Sequence, residues 1–324
     1  MEDLILHERP EMDSPRLVVG LTGWMDGGHV STATLGYLRE RLAAERFAEI
    51  DPMDFYIFHF PVASIPVSVY LRSGPGSRPD ALGEGATVVH PVTPMEFAAV
   101  FRPHAKITDG VVKEVVYPEN VFWAAPESNL LLFTGEEPHI RWGSYCDCIF
   151  WVCEELGVRE VYFVGSVASP MPHTREPRIR ASTSRPEHKQ LLADAGLGFA
   201  DYEGPSSIIT SLVYHAAEID IAWRSLVVEI PHYPFLEMPT YPHSILKVTA
   251  ALTRLLGLEL NLSDLEEATR IAREKLDALM ADNAEFRELV SKLEQAYDYA
   301  VSDEDEELLR RLIEGVDLEG GEQA

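Results

Sequence analysis

A short apolar run, Leu17 to Leu21, breaks into the turn Thr22, Gly23, Trp24, Met25, Asp26, Gly27, Gly28, His29 and re-emerges as the amphipathic segment Val30 to Leu42. That order reads as strand, glycine turn and helix, the opening unit of an α/β domain. Gly23, Gly27 and Gly28 permit positive φ or close backbone approach. Trp24 adds a flat apolar face, and Asp26 places a charge where a helix start leaves N–H groups unpaired. A chain that begins this way is committed to putting polar chemistry at the carboxyl end of its first strand.

Alternating apolar runs and helical stretches continue that theme. Phe55–Phe60 reads as a buried second strand, with Val67–Leu71 continuing or pairing beside it. Ala86–His90, Val111–Tyr117, Asn129–Thr134, Glu160–Val164 and Ser225–Ile230 read as further strands. Helices are expected over Thr93–Arg102, Ile140–Leu156 with Gly157 as its left-handed cap, His188–Ala195, Ile208–Ile219 and His243–Leu256. Pro118–Pro126 reads as irregular, with Trp123 on a sheet edge, and 72–79 as a surface loop or a closure over an anion. The expected fold is three-layer α/β/α with a mostly parallel sheet over residues 1–258.

From Leu258 the style changes. Ser263 with Glu266 reads as a capping box, and helical spacing runs through Leu265, Ile271, Leu276 and Leu279, then again over Phe286–Tyr297. An acidic run, Asp303–Glu307, leads to a frayed end. Residues 259–324 therefore read as an acidic helical extension suited to docking or assembly.

Composition narrows the function. The 324 residues carry a formal net charge of −26, which opposes nucleic acid or an anionic membrane as main partner. No stretch is long and apolar enough to span a bilayer. Three cysteines make no disulfide framework and point to a reduced, cytoplasmic protein. Cys146 and Cys153 share an apolar stripe with Ile149, and Cys148 lies with Trp151 on the other side, so the cysteines pack rather than bind metal. A helix apolar on both sides is sandwiched or shared with another subunit. Walker, dinucleotide and nucleophile-elbow motifs are absent, and no cofactor is expected.

The polar residues gather where an α/β sheet binds ligands, just past the carboxyl ends of predicted strands. They are Trp24, Asp26, Gly27 and Gly28; Glu136, Glu137 and His139; His173, Thr174 and Arg175; and His232 with Tyr233. Each has a plain alternative: Asp26 as a helix cap, Trp24 as core, Glu136 or Glu137 as the cap of the cysteine helix. His173 and Arg175 are harder to explain structurally, since a proline-rich loop gains little from either. A metal held by His139, His173 and His232 has no supporting ligand spacing.

Taken in order, these pieces resemble the proteasome assembly chaperone 2 family in its long bacterial form. The resemblance rests on the apolar strand with Gly23, Trp24, Asp26 and Gly28; on Leu132, Phe133, Thr134, Gly135, Glu136 and Pro138 with Trp142; on Val164, Gly165 and Pro172 to Arg175; and on Gly204, Pro205, Pro231, His232 and Tyr233. It implies a nucleoside-phosphorylase-like α/β/α domain with a helical carboxyl extension, a homo-oligomer, and contact with another protein complex. Similar sequences also carry an ATP-grasp-like label, which the missing nucleotide motifs do not support. Two departures stand out. Proteasome-docking relatives end in a hydrophobic residue, a tyrosine and one more residue, whereas Gly321 to Ala324 cannot insert that way. Glu176 also separates Arg175 from Pro177. The competing reading is a small-molecule enzyme for a nucleoside, nucleotide or phosphate-bearing ligand, with Arg175 holding an anion, Asp26 or His173 moving a proton and Trp24 stacking on a ring.

Overall fold

The computed structural model describes residues 2–59, 101–233 and 240–299. In chain order the strands are β1 (Leu4–Leu6), β2 (Arg16–Thr22), β3 (Glu45–Ile50), β4 (His104–Thr108), β5 (Val111–Val116), β6 (Val121–Ala125), β7 (Leu130–Glu136), β8 (Glu160–Ser169), β9 (Ile179–Thr183), β10 (Gly198–Phe199) and β11 (Ala222–Pro231). The helices are α1 (Val30–Arg41), α2 (Trp142–Leu156), α3 (Lys189–Asp194), α4 (Ile208–Glu218), α5 (Pro242–Leu256), α6 (Ser263–Asp282) and α7 (Ala284–Tyr299).

Nine strands form one mixed sheet in the order β1-β3-β6-β7-β2-β8-β11-β9-β10. Its centre, β7-β2-β8-β11, is parallel, and antiparallel pairings begin on both sides of it. Parallel strands must be covered on both faces, and the side-chain period of two sorts them. Leu17, Val19 and Leu21 of β2 join the core beneath α2 and α4, whereas Val18 joins the core beneath α1 and α5. The result is the expected three layers. Leu276, Phe286, Val290, Leu293 and Tyr297 of α6 and α7 belong to the second of these cores, so the described part of the extension is packed into the body.

The cysteine helix is sandwiched. Cys146, Cys148 and Cys153 are all buried, and burial pushes each thiol up to about 12. Neutral thiols in that setting are poor nucleophiles.

Several elements differ from expectation. Phe55 and Tyr56 follow a 3-10 turn, Pro52–Asp54, and are not in a strand; Phe55 anchors by an edge-on contact with Tyr145 at 5.3 Å while its carbonyl accepts from the His139 and Ile140 N–H groups. Strands β1, β3, β4 and β10 have no counterpart among the expected strands; β3 carries Glu45, Arg46 and Glu49, and that charge hides its partly buried pattern. Val121–Ala125 is strand rather than irregular chain, held antiparallel between β3 and β7. Strand β9 also escaped notice, because Arg180 and Ser182 interrupt its apolar residues. Ser263 is not a cap: Leu262 takes that position, and Asn261 Oδ1 accepts from Ser263 N at 2.9 Å. The elements expected over 67–71, 72–79, 86–90 and most of 93–102, the crossing at 234–239 and the acidic run 303–307 lie outside the described residues.

Strands β4 and β5 form a separate two-stranded hairpin. Its turn is Asp109-Gly110 with φ of 51° and 75°, the sign pattern that tight two-residue hairpins need.

Candidate functional site

The glycine turn continues the sheet by other means. Asp26 bridges Ser166 of β8 in parallel register, Ser166 N donates to the Met25 carbonyl at 2.8 Å, and Ser166 Oγ donates to the Gly27 carbonyl at 2.7 Å. Gly23 turns the chain at φ 113°, where a Cβ would come 2.9 Å from Cβ of Glu137. Only glycine accepts both the angle and the neighbour.

Asp26 is buried and its carboxylate accepts from Thr32 N at 3.2 Å and Thr32 Oγ1 at 2.8 Å. It thus caps the start of α1, and burial raises its pKa despite those hydrogen bonds. Trp24 is not core: it is 64% exposed, its backbone N donating to Glu137 Oε2 at 3.0 Å. Glu137 Oε1 accepts from Ile208 N at 2.8 Å, so this carboxylate caps α4 rather than the cysteine helix and ties the glycine turn to it. Gly28, at φ 58°, lies against Ile230 and Tyr241.

Glu136 ends β7. Its backbone is fixed by a buried polar cluster that sequence reasoning missed. Asn120 Oδ1 accepts from Tyr56 OH at 2.7 Å, Tyr145 OH at 2.9 Å and Glu136 N at 3.1 Å, and both tyrosines also reach the Glu136 carbonyl. Asn120 Nδ2 is buried without a partner. The Glu136 carboxyl itself is half-buried, and burial raises its pKa. His139 is exposed at its edge, its Nδ1 accepting from Ile57 N at 3.1 Å.

The second half of the predicted site is covered. His173 is 1% exposed beneath α6 and α7. Its backbone N donates to Tyr233 OH at 2.7 Å, and Tyr233 OH lies 2.6 Å from Nδ1. The hydroxyl oxygen that accepts the backbone proton uses its own proton on Nδ1, which leaves the Nε2 proton for Asp277 Oδ1 at 3.3 Å. Phe286 stacks on the ring at 5.8 Å. Thr174 Oγ1 donates to Glu294 Oε1 at 2.5 Å. Arg175 makes a forked pair with Asp298, both bonds 2.8 Å, and a third bond to Glu294 at 2.9 Å. Glu294 and Asp298, four apart, share a face of α7, the one sequence signal that an arginine was to be met there. Tyr297 OH extends the clamp to Glu229 Oε2 at 2.7 Å. His232 is exposed at the end of β11.

Two groups of these residues are tied down: Trp24 N and Ile208 N on Glu137, with Asp26 on Thr32 and Gly27 on Ser166, and His173, Thr174 and Arg175 on the carboxyl helices, while Gly28 lies against Ile230 and Tyr241. Among the described residues no group of three or more His, Cys, Asp or Glu side chains is arranged to hold a metal, and no helix is long and apolar enough to cross a membrane.

Burial lowers the pKa of His173 against the opposing pull of Asp277, and lowers those of His139 and His243 likewise. A depressed histidine binds more protons unfolded than folded, so stability stands in full above its ordinary 6.5 and falls as pH drops toward the folded value. The His173 ring resonances are expected to titrate below 6.5, and because the raised carboxyls of Asp26 and Glu136 pull the other way, the test is the pH dependence that His173→Gln removes from the urea midpoint between pH 5.5 and 7.5. A His173 ring that titrates at or above 6.5, or a His173→Gln chain with unchanged pH dependence, contradicts this.

The chain matches the family described as PAC2 family over residues 20–280. A Mycobacterium tuberculosis structure titled a proteasome-assembly chaperone homologue is similar at 21% identity and TM-score 0.65, covering 85% of this chain and 99% of that one. A PAC2 family protein from Streptomyces avermitilis is similar at 23% identity and TM-score 0.63, covering 84% and 99%. An archaeal proteasome activator from Pyrococcus furiosus is similar at 18% identity and TM-score 0.53, covering 85% and 97%. At these identities the likeness shows the fold. No curated protein matches the sequence.

Proposed function

The chain belongs to the PAC2 family, and from that membership we propose that it works through protein contacts, as a homo-oligomeric, proteasome-assembly-chaperone-like assembly or scaffolding protein, rather than by turning over a small molecule. One observation carries the reading. The sheet edge where an α/β fold binds ligands has its strongest anion-binding and proton-transfer candidates, Arg175 and His173, engaged by the chain's own helices. An arginine already forked onto Asp298 and bonded to Glu294 has little left for a phosphate. Family likeness to assembly chaperones and an acidic surface that avoids nucleic acid support the same direction.

A second reading rests on Glu136, a half-buried carboxyl with a raised pKa at a strand end near exposed Trp24, which suits a small-molecule site on the open half of the rim. Native mass spectrometry of the protein from its own cells separates the two. The assembly reading expects several copies or a stoichiometric protein partner and no retained nucleoside or phosphate. A strictly monomeric, partner-free chain with saturable nucleotide binding that Asp26→Ala abolishes overturns it.

A further inference from the structure

The amino-terminal edge of the sheet, at the far end from the rim, carries a buried cation that its neighbours serve on one side only. Arg224, near the start of β11, is 2% exposed. It stands level with Tyr162 of β8 and Thr183 of β9, on the sheet face that packs under α1 and α5. Its Nη1 donates to Glu160 Oε2 and to Tyr162 OH, both at 3.1 Å. Both bonds leave from the same nitrogen, so the side-on edge of the guanidinium, Nε with Nη2, is left over. That edge is the one that grips an oxyanion through two parallel bonds. Nε is buried there without a partner among the described residues, and so is Nδ1 of His188, in the 3-10 turn Pro186–His188 that leads into α3. A desolvated polar group without a partner is costly, and more so on a charged side chain.

The surrounding charge is equally out of keeping with the rest of the chain. Arg16 of β2 precedes Leu17, which pairs with Val161, so Arg16 stands level with Glu160. Arg185 lies just before the turn, and its partners Asp220 and Glu187 are exposed. A chain of net charge −26 thus gathers three arginines at one edge, and the carboxylate that touches Arg224, Glu160, is itself 42% exposed. A local surplus of cation in so acidic a molecule attracts an anion.

We propose that this edge is a binding site for a small oxyanion, a carboxylate or inorganic phosphate, clasped side-on by Arg224 Nε and Nη2 and bonded by His188 Nδ1. The proposal stands apart from the assembly reading, since it uses no residue of the rim or of the carboxyl helices. Glu160 stays on the other end of the guanidinium and holds it in place. A water molecule would satisfy the N–H groups and leave the charge surplus, whereas an oxyanion answers both. Burial, with Arg224 and Arg185 beside it, lowers the pKa of His188 against the opposing pull of Glu187 and Glu160. The free ring is therefore neutral at pH 7, and an anion on Nδ1 favours the imidazolium. Binding takes up a proton and tightens as pH falls.

Titration of the full chain with acetate and, separately, with phosphate at constant ionic strength tests this, read by the Arg224 Nε–H resonance. Saturable shifts are expected with half-saturation at or below about 10 mM, and the anion with the lower value identifies the ligand class. Acetate, which does not itself titrate between pH 7.5 and 6, is expected to bind about threefold tighter at the lower pH. Arg224→Lys keeps the charge and loses the fork, and is expected to weaken binding about tenfold or more. His188→Gln is expected to weaken acetate about fivefold and to remove the pH dependence. Arg270→Gln, on α6, is expected to bind as wild type does. No saturable shift with either anion by about 50 mM overturns the proposal and leaves a bound water as the partner of Nε. A shift that chloride reproduces at equal concentration overturns it too, as does a His188→Gln chain with unchanged affinity and pH dependence. Should Arg224→Lys not fold, the half-buried His188→Gln decides.

Discussion

Phe286→Ala is expected to lower the unfolding free energy by about 3–5 kcal/mol, the usual cost of emptying an aromatic site in a closed core. Phe286 is 1% exposed, edge-on to Tyr233 at 4.9 Å and stacked on His173 at 5.8 Å. It is the apolar pin through which the carboxyl helices hold the His173 loop. The polar clamp of Thr174, Arg175, Glu294 and Asp298 lies at a more solvated margin, where ion pairs contribute little. Losing the pin should therefore release α6 and α7 before the sheet unfolds. Hydrogen exchange is expected to quicken in both helices while β2, β7 and β8 stay protected. A loss under about 1 kcal/mol with unchanged protection would show that the helices are held by the ion pairs instead.

Asn120→Ala is expected to cost about 1–3 kcal/mol, because it removes an acceptor shared by three donors and strands one of them. Glu136 N would lose its partner, and two tyrosine hydroxyls would be left to share the Glu136 carbonyl. Burial already holds both phenols neutral, so neither can compensate by ionising. The predicted signature is a lower urea midpoint with a shift of the Glu136 and Glu137 amide resonances. Asn120→Ala with wild-type stability would mean that water replaces the side chain, and the cluster would lose its role in setting the end of β7.

How legible all this was in the sequence depended on where each residue found its partner. Strand β2, the glycine turn and α1 could be read because their signals are local: an apolar run, three glycines, then helical spacing. Strands β3 and β9 could not, since they sit toward the antiparallel flanks of the sheet and carry charge. Phe55 and Tyr56 misled for the opposite reason, as their apolar character serves a turn that plugs the core. The rim shows the same division. The position of Asp26 suited a helix cap or a ligand contact, and its bonds to Thr32 supply the cap. Glu137 meets Ile208, more than seventy residues on, so no local pattern could say which helix it caps. Arg175 and His173 were singled out as unexplained in a proline-rich loop. Their explanation lay some hundred residues downstream, in carboxylates of the carboxyl helices, where only the four-residue spacing of Glu294 and Asp298 hints at a cationic partner.

The margins of the nine-stranded sheet have one more implication. It is finished by the three-residue β1 on one side and the two-residue β10 on the other. Such stubs present too few free N–H and C=O groups to template an incoming ribbon. Runaway fibre growth by lateral addition to this sheet is thereby closed off, and copies of the chain can be crowded together without their central layers fusing.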